Sequence, residues 1–99
     1  MSKSIYLLHK SNRPSKKFYV ETPKGKKIYF GAAGYADYTM HKNPARKYNY
    51  ITRHSVNEDW TNLDKAGTWS RFILWNLPTI QESIADMARR FNIKIIFAN

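Results

Sequence analysis

The residues able to do chemistry cluster between Ile28 and His54, in the run IYFGAAGYADYTMHKNPARKYNYITRH. The run mixes aromatics (Tyr29, Phe30, Tyr35, Tyr38, Tyr48, Tyr50), cations (Lys42, Arg46, Lys47, Arg53) and two histidines, His41 and His54. Fixed cations hold phosphate oxygens, and tyrosine rings stack on exposed bases. Just upstream, Lys24, Lys26 and Lys27 crowd a Pro-Lys-Gly-Lys turn. That turn is either a cationic finger or a hairpin tip whose lysines keep it soluble and blunt its edge. The expected phosphate contacts are Lys24, Lys26, Lys27, Lys42, Arg46, Lys47 and Arg53, with Tyr35, Tyr38 or Tyr50 available to stack on bases. No module that reads base edges is recognisable, so recognition of backbone or shape is expected.

Catalysis has thinner support. A metal-dependent nuclease would draw its ligands from Asp37, His41, His54 and Glu58. His54 and Glu58 are four apart and share a face if one helix carries both. Imidazole and carboxylate can hold a divalent ion that activates water. No HExxH pair, nucleophile elbow or cysteine framework is present. Gly31-Ala32-Ala33-Gly34 lacks the Gly-Lys-Ser/Thr ending of a P-loop and the third glycine of a dinucleotide fingerprint. It is either an anion-binding nest of amides or the glycine pair a chain needs to leave a sheet edge. No catalytic residue, metal or cofactor is assigned.

The charge is placed unevenly. Residues 1–54 hold twelve Lys and Arg against Glu21 and Asp37, a balance of +10, and residues 55–99 balance to zero. Such asymmetry points to a polyanionic partner: nucleic acid, an anionic membrane or an acidic protein surface. The alternative is a basic, solvated face with no partner. Zero Cys excludes disulfides, thiolate zinc sites and a catalytic thiol, and is more typical of a chain inside a cell. The start, MSKSIYLLHK, is too short in apolar residues for a signal peptide, and no run approaches the roughly 20 apolar residues of a membrane span.

The elements that must position these groups read as one α+β domain over residues 1–99, an antiparallel sheet with a β-hairpin packed by one or two short helices. Residues 4–9 read as a first strand, and Ser11 to Ser15 as a break. Lys16 to Thr22 and Lys27 to Phe30 pair through the Pro23–Lys26 turn, with Phe18 and Val20 on one face and Lys17, Tyr19 and Glu21 on the other. Tyr35 to His41 reads as a short extended segment or turn. Asn43-Pro44 starts a helix to about His54, expected to bury Ala45, Tyr48 and Ile51 and to turn Arg46, Lys47, Tyr50, Arg53 and His54 outward. Ser55 to Gly67 is an irregular connector anchored by Trp60, with Glu58 and Asp59 available to pair with the basic helix. Thr68 to Asn76 fits a short helix or a strand, its tryptophans in the core, and Arg71 within it should snorkel or pair with Asp37 or Glu58. Thr79 and Glu82 form a capping box for a helix to about Arg90, which presents Ile80, Ile84, Met87, Ala88 and Phe91 to the core. Asn92 supplies a left-handed cap, and Ile93 to Ala98 a last strand.

The ordered pattern K-I-Y-F-G-A-A-G-Y-A-D-Y-T-M-H-K, then R-K and Y-I-x-R-H, then E-D-W, G-T-W-S-R and L-W-N-x-P-T-I-x-x-S-I, resembles a family of small basic proteins of unknown function. These are encoded by large DNA viruses of algae and protists. The resemblance runs from about Lys26 to Ile95 and implies a virus-encoded protein packaged in the particle, located in the virion and in the interior of the host cell, cytoplasm or nucleus. Two functions follow. In the first the chain is non-catalytic and binds DNA or RNA through the phosphate backbone. In the second it is a minor structural protein that cements capsid or core proteins through their acidic surfaces, with Trp and Tyr as anchors and self-association possible.

Overall fold

The computed structural model describes residues 3–98. Strands β1 (Ile5–Lys10), β2 (Lys16–Glu21), β3 (Lys27–Ala32) and β4 (Lys94–Phe97) form one sheet in the order β3-β2-β1-β4. β2 pairs antiparallel with both β1 and β3, and the β2–β3 hairpin closes where Glu21 meets Lys27. The sheet is therefore mostly antiparallel. Its one parallel pair joins β1 to β4, with Ile5 opposite Lys94 and Leu8 opposite Phe97. Parallel neighbours need a long crossover, and here most of the chain lies between them.

The helices are α1 (Tyr38–His41), α2 (Pro44–Ser55), α3 (Ala66–Trp69), a π-helical turn (Ser70–Leu74) continuing α3, and α4 (Ile80–Phe91). α2 starts where Asn43 Oδ1 accepts the Ala45 and Arg46 amides, with Pro44 in the first turn. α4 starts where Thr79 Oγ1 accepts the Glu82 amide and ends on Asn92 at φ 54°. The Thr68–Asn76 stretch is helical. Its last turn is closed by Trp75 N–H to the Ser70 carbonyl, five residues back.

Leu8, Val20, Ile28 and Phe30 from the sheet pack against Trp69, Ile73, Leu74 and Met87. Trp69 is fully buried, and its indole N–H donates to the Leu63 carbonyl at 2.9 Å. That bond lets the most voluminous side chain of the core bury a polar group without loss. Trp75 is half-buried, and Arg71 behaves differently from expectation. Its guanidinium donates to the Trp75 carbonyl and lies 5.5 Å from the Trp60 ring and 5.0 Å from the Phe72 ring, with no ion pair to Asp37 or Glu58. Neither Glu58 nor Asp59 pairs with α2. Asp59 instead accepts from the amide and hydroxyl of Thr61.

β3 ends at a tight passage. Gly31 has φ +79°, and a Cβ there would stand 2.7 Å from Leu74 Cδ1 and 3.3 Å from Lys17 Cβ. Gly34 has φ +88° but open space around it. Gly34→Ala should therefore cost about 1 kcal/mol for the left-handed backbone alone. Gly31→Ala should cost roughly 2 kcal/mol more, because a core side chain must also shift. Chemical denaturation of both variants checks the difference, and equal losses would show that the contact with Leu74 is slack.

Candidate nucleic-acid interface

A cleft of about 580 Å³ opens between the Lys16 end of the sheet, the loop before α1, α2 and the start of α3. Lys16 and Lys17 come from β2, Gly31 and Ala32 from β3, Arg46, Tyr50, Arg53 and His54 from α2, and Ser70, Leu74 and Trp75 from the second half of the chain. Two clamps hold its walls in place.

The first clamp is an ion pair. Lys17 Nζ lies 2.5 Å from Asp37 Oδ2, where the Asp37 side chain is 3% exposed. The other carboxylate oxygen accepts from the Thr39 amide and hydroxyl. Asp37 thus caps α1 and ties it to the sheet, and the same ammonium reaches the Tyr35 carbonyl. A carboxylate this buried stays charged only with a full set of partners. The sequence places Tyr35–His41 as an extended segment or turn. The Asp-x-Thr cap folds its second half into the short helix α1 instead. Lys42 then takes φ 54°, and Asn43 opens α2.

The second clamp is aromatic. The Tyr50 ring stacks on Trp75 with centroids 4.3 Å apart and 2° between planes, and on its other side His54 lies 4.1 Å away. Tyr50 is 7% exposed, and burial pushes its phenol up. Both its ring faces are occupied, so Tyr50 does not offer a face for a base to stack on. The buried stripe of α2 is Lys47, Tyr50, Ile51 and His54, whereas Ala45 and Tyr48 face solvent, Tyr48 at 69% exposure. Periodicity alone chooses badly between two tyrosines two residues apart; the flat partner at Trp75 decides it.

Lys47 is likewise committed to structure. Its ammonium donates to the Asn76 carbonyl and lies 5.1 Å from the Tyr38 ring centroid, and burial, then Arg71 and Arg90, hold its pKa down. Asn76 in turn donates to Asp86, which pairs with Arg89 and Arg90. Burial raises the Asp86 carboxyl, but hydrogen bonds from Asn76, Arg90 and Arg89 outweigh it and leave the group below its ordinary range. Lys42 donates to the Thr39 carbonyl at 2.8 Å.

The expected contact residues therefore separate. Lys24, Lys26 and Lys27 are exposed around the β2–β3 turn, at the opposite end of the strands from the cleft, because Glu21 pairs with Lys27 there and Lys16 with Ala32 here. Arg46 and Arg53 lie exposed on the cleft wall with no ion pair among the described residues, and Tyr35 stands at its rim, 73% exposed. Seven residues of helix set the two arginines about 10 Å apart along one face. Lys16 and Lys17, absent from the expected contact set, are brought in by the hairpin register. That register is a non-local pairing with no mark in the local run.

The nuclease constellation does not assemble. α2 ends at Ser55, so Glu58 leaves the face of His54 and its carboxylate lies against Gly67. His41 Nδ1 accepts the Asn43 amide, His54 Nδ1 lies 2.9 Å from the Tyr50 carbonyl, and Asp37 is held by Lys17. Among the described residues no three His, Asp or Glu side chains converge as metal ligands. Nor, among them, is any helix long and apolar enough to cross a membrane.

Residues 6–54 match the model of a family of unknown function (DUF5754). The match runs from β1 almost to the end of α2 and includes Lys16, Lys17, Asp37, Arg46 and Arg53. It stops before the wall built by α3 and the π turn. No curated protein and no solved structure matches the chain.

Asp37→Ala should lower stability by about 3 kcal/mol, the usual cost of leaving one member of a buried pair without its partner. Urea denaturation at neutral pH measures it, and a loss under about 1 kcal/mol, a surface-pair value, would remove the ion pair from its place as a clamp.

Proposed function

We propose that this chain is a non-catalytic nucleic-acid-binding protein that grips the phosphate backbone. The observation that carries the reading is the cleft wall where Arg46, Arg53 and Lys16 stand without carboxylate partners while the neighbouring cations, Lys17 and Lys47, are spent on structure. A site with fixed, unneutralised cations gains by releasing counterions from a polyanion. Tyr35 at the rim adds an exposed ring beside them. The resemblance to virus-encoded basic proteins supports a place in a particle beside the packaged nucleic acid.

A second reading is binding to an acidic protein surface, as in a particle cement. Tyr48 and Val56, 69% and 77% exposed on the outer side of α2 and just past its end, favour it by offering apolar anchors beside the cations.

A salt titration of binding to single-stranded DNA, RNA and duplex DNA separates them. The affinity should fall steeply with salt, and Arg46→Ala with Arg53→Ala should reduce the log–log slope by roughly 2, about one per phosphate contact. Absence of binding at low salt, or an unchanged slope in the double variant, would remove the phosphate reading and leave the protein partner.

A further inference from the structure

The core residues of the strands lie on one sheet face, packed against α3, the π turn and α4. On the other face the strand residues are half-buried or exposed. The registers set out what stands there. One row runs Ile96, Leu7, Glu21, Lys27 across β4, β1, β2 and β3, and the next runs His9, Tyr19, Tyr29. In that second row the rings stack on one another, His9 to Tyr19 at 4.7 Å and 11°, and Tyr19 to Tyr29 at 4.9 Å and 32°. Arg13, from the β1–β2 loop, lays its guanidinium 3.8 Å from the Tyr29 centroid, and Asn12 holds the Tyr29 hydroxyl at 2.8 Å. Three rings and a guanidinium thus form one column across three strands. It ends at the β3 edge on Arg13, an exposed residue whose guanidinium makes no ion pair among the described residues.

Cross-strand ring pairs stabilise a sheet on their own. They do not require an exposed cation at the end of the column. We propose that the open sheet face binds single-stranded nucleic acid, with an unpaired base continuing the column on the free side of the Arg13 guanidinium. The proposal rests on the phosphate reading above and adds the strand type and a second contact surface. A guanidinium plane is a stacking platform for bases, as tyrosine is. Only a single strand can present a base face there, because a duplex keeps its bases stacked on one another. Lys27 flanks the column, its ammonium 5.6 Å from the Tyr19 ring. Ile5 and Ile96, 46% and 39% exposed, give the rest of the face an apolar floor. A second copy of the chain would also fit an apolar floor, but it would bring together two chains each carrying +10. Nucleic acid supplies both the flat rings and the opposite charge. The two surfaces can share one strand: Tyr29 precedes Gly31 of the cleft by two residues, roughly 7 Å along β3.

Arg13→Lys tests the idea, because it keeps the charge and removes the planar face, at an exposed side chain outside the core. Binding of a 12-nucleotide single strand and of a matched duplex is measured by fluorescence anisotropy at one salt concentration, for the wild type, Arg13→Lys and the Arg46→Ala/Arg53→Ala pair. The expected result is a roughly tenfold weaker single-strand affinity for Arg13→Lys, the size of one stacking contact, with duplex affinity unchanged. Equal single-strand affinity in Arg13→Lys and wild type would overturn the stacking surface while leaving the phosphate reading intact. An equal loss of single-strand and duplex affinity in Arg13→Lys would do the same. No binding by the wild type would overturn both. A concentration-dependent dimer in sedimentation that Arg13→Lys abolishes would assign the face to a second copy instead.

Discussion

A carboxylate that is 3% exposed must be fully partnered, and Asp37 meets that demand with Lys17 on one oxygen and Thr39 on the other. The direction of the following chain depends on this. The pair holds the loop after β3 against the start of β2, and the capped turn of α1 then delivers the chain to Asn43. Asn43 fixes the first turn of α2. Without Lys17 the carboxylate would lose its burial, and α2 its bearing on the sheet. The cost of dehydrating two charges is recovered only because both ends are additionally hydrogen-bonded.

The same economy of charge explains why the cleft is cationic. Of the side chains around it, Lys17 is neutralised by Asp37, and Lys47 turns away to a backbone carbonyl. Arg46, Arg53 and Lys16 have no such partner among the described residues. The acidic half of the chain compensates them little: Asp59 caps a turn and Asp86 binds Arg89 and Arg90, while Glu58 lines the same cleft without an ion pair to either arginine. The unpaired cations therefore give the cleft a local positive field, one part of the chain's balance of +10. The Tyr50–Trp75 stack keeps that field in place by joining α2 to the end of the π turn, where the wider backbone ring lets Ile73 and Leu74 stay buried while Trp75 faces α2.

Much of the fold was legible because local chemistry dictated it. Asn43-Pro44 and Thr79 with Glu82 started their helices where capping chemistry requires, and Asn92 ended the last one in the left-handed region. The Pro23–Gly25 turn closed the hairpin. What escaped was settled between distant parts. The parallel pairing of β4 with β1 follows from where α4 returns the chain, and no residue of either strand announces it. The buried stripe of α2 depended on Trp75, 25 residues beyond Tyr50. The expected contact residues separate in space, which their order along the chain does not reveal. Arg46, Arg53 and Tyr35 line the cleft, but Lys24, Lys26 and Lys27 stand at the far end of the sheet. Lys16 enters only through its register with Ala32, and the column from His9 to Arg13 exists only once three strands are aligned.

The most direct measurement is a map of backbone amide shifts by solution NMR as a short single-stranded oligonucleotide is added. The shifts should concentrate at Lys16, Tyr35, Arg46 and Arg53 and extend over Arg13 and Tyr29, while the hairpin tip at Lys24 and Gly25 stays still. Shifts centred on the hairpin tip, or confined to α4, would contradict this and place the binding surface elsewhere on the molecule.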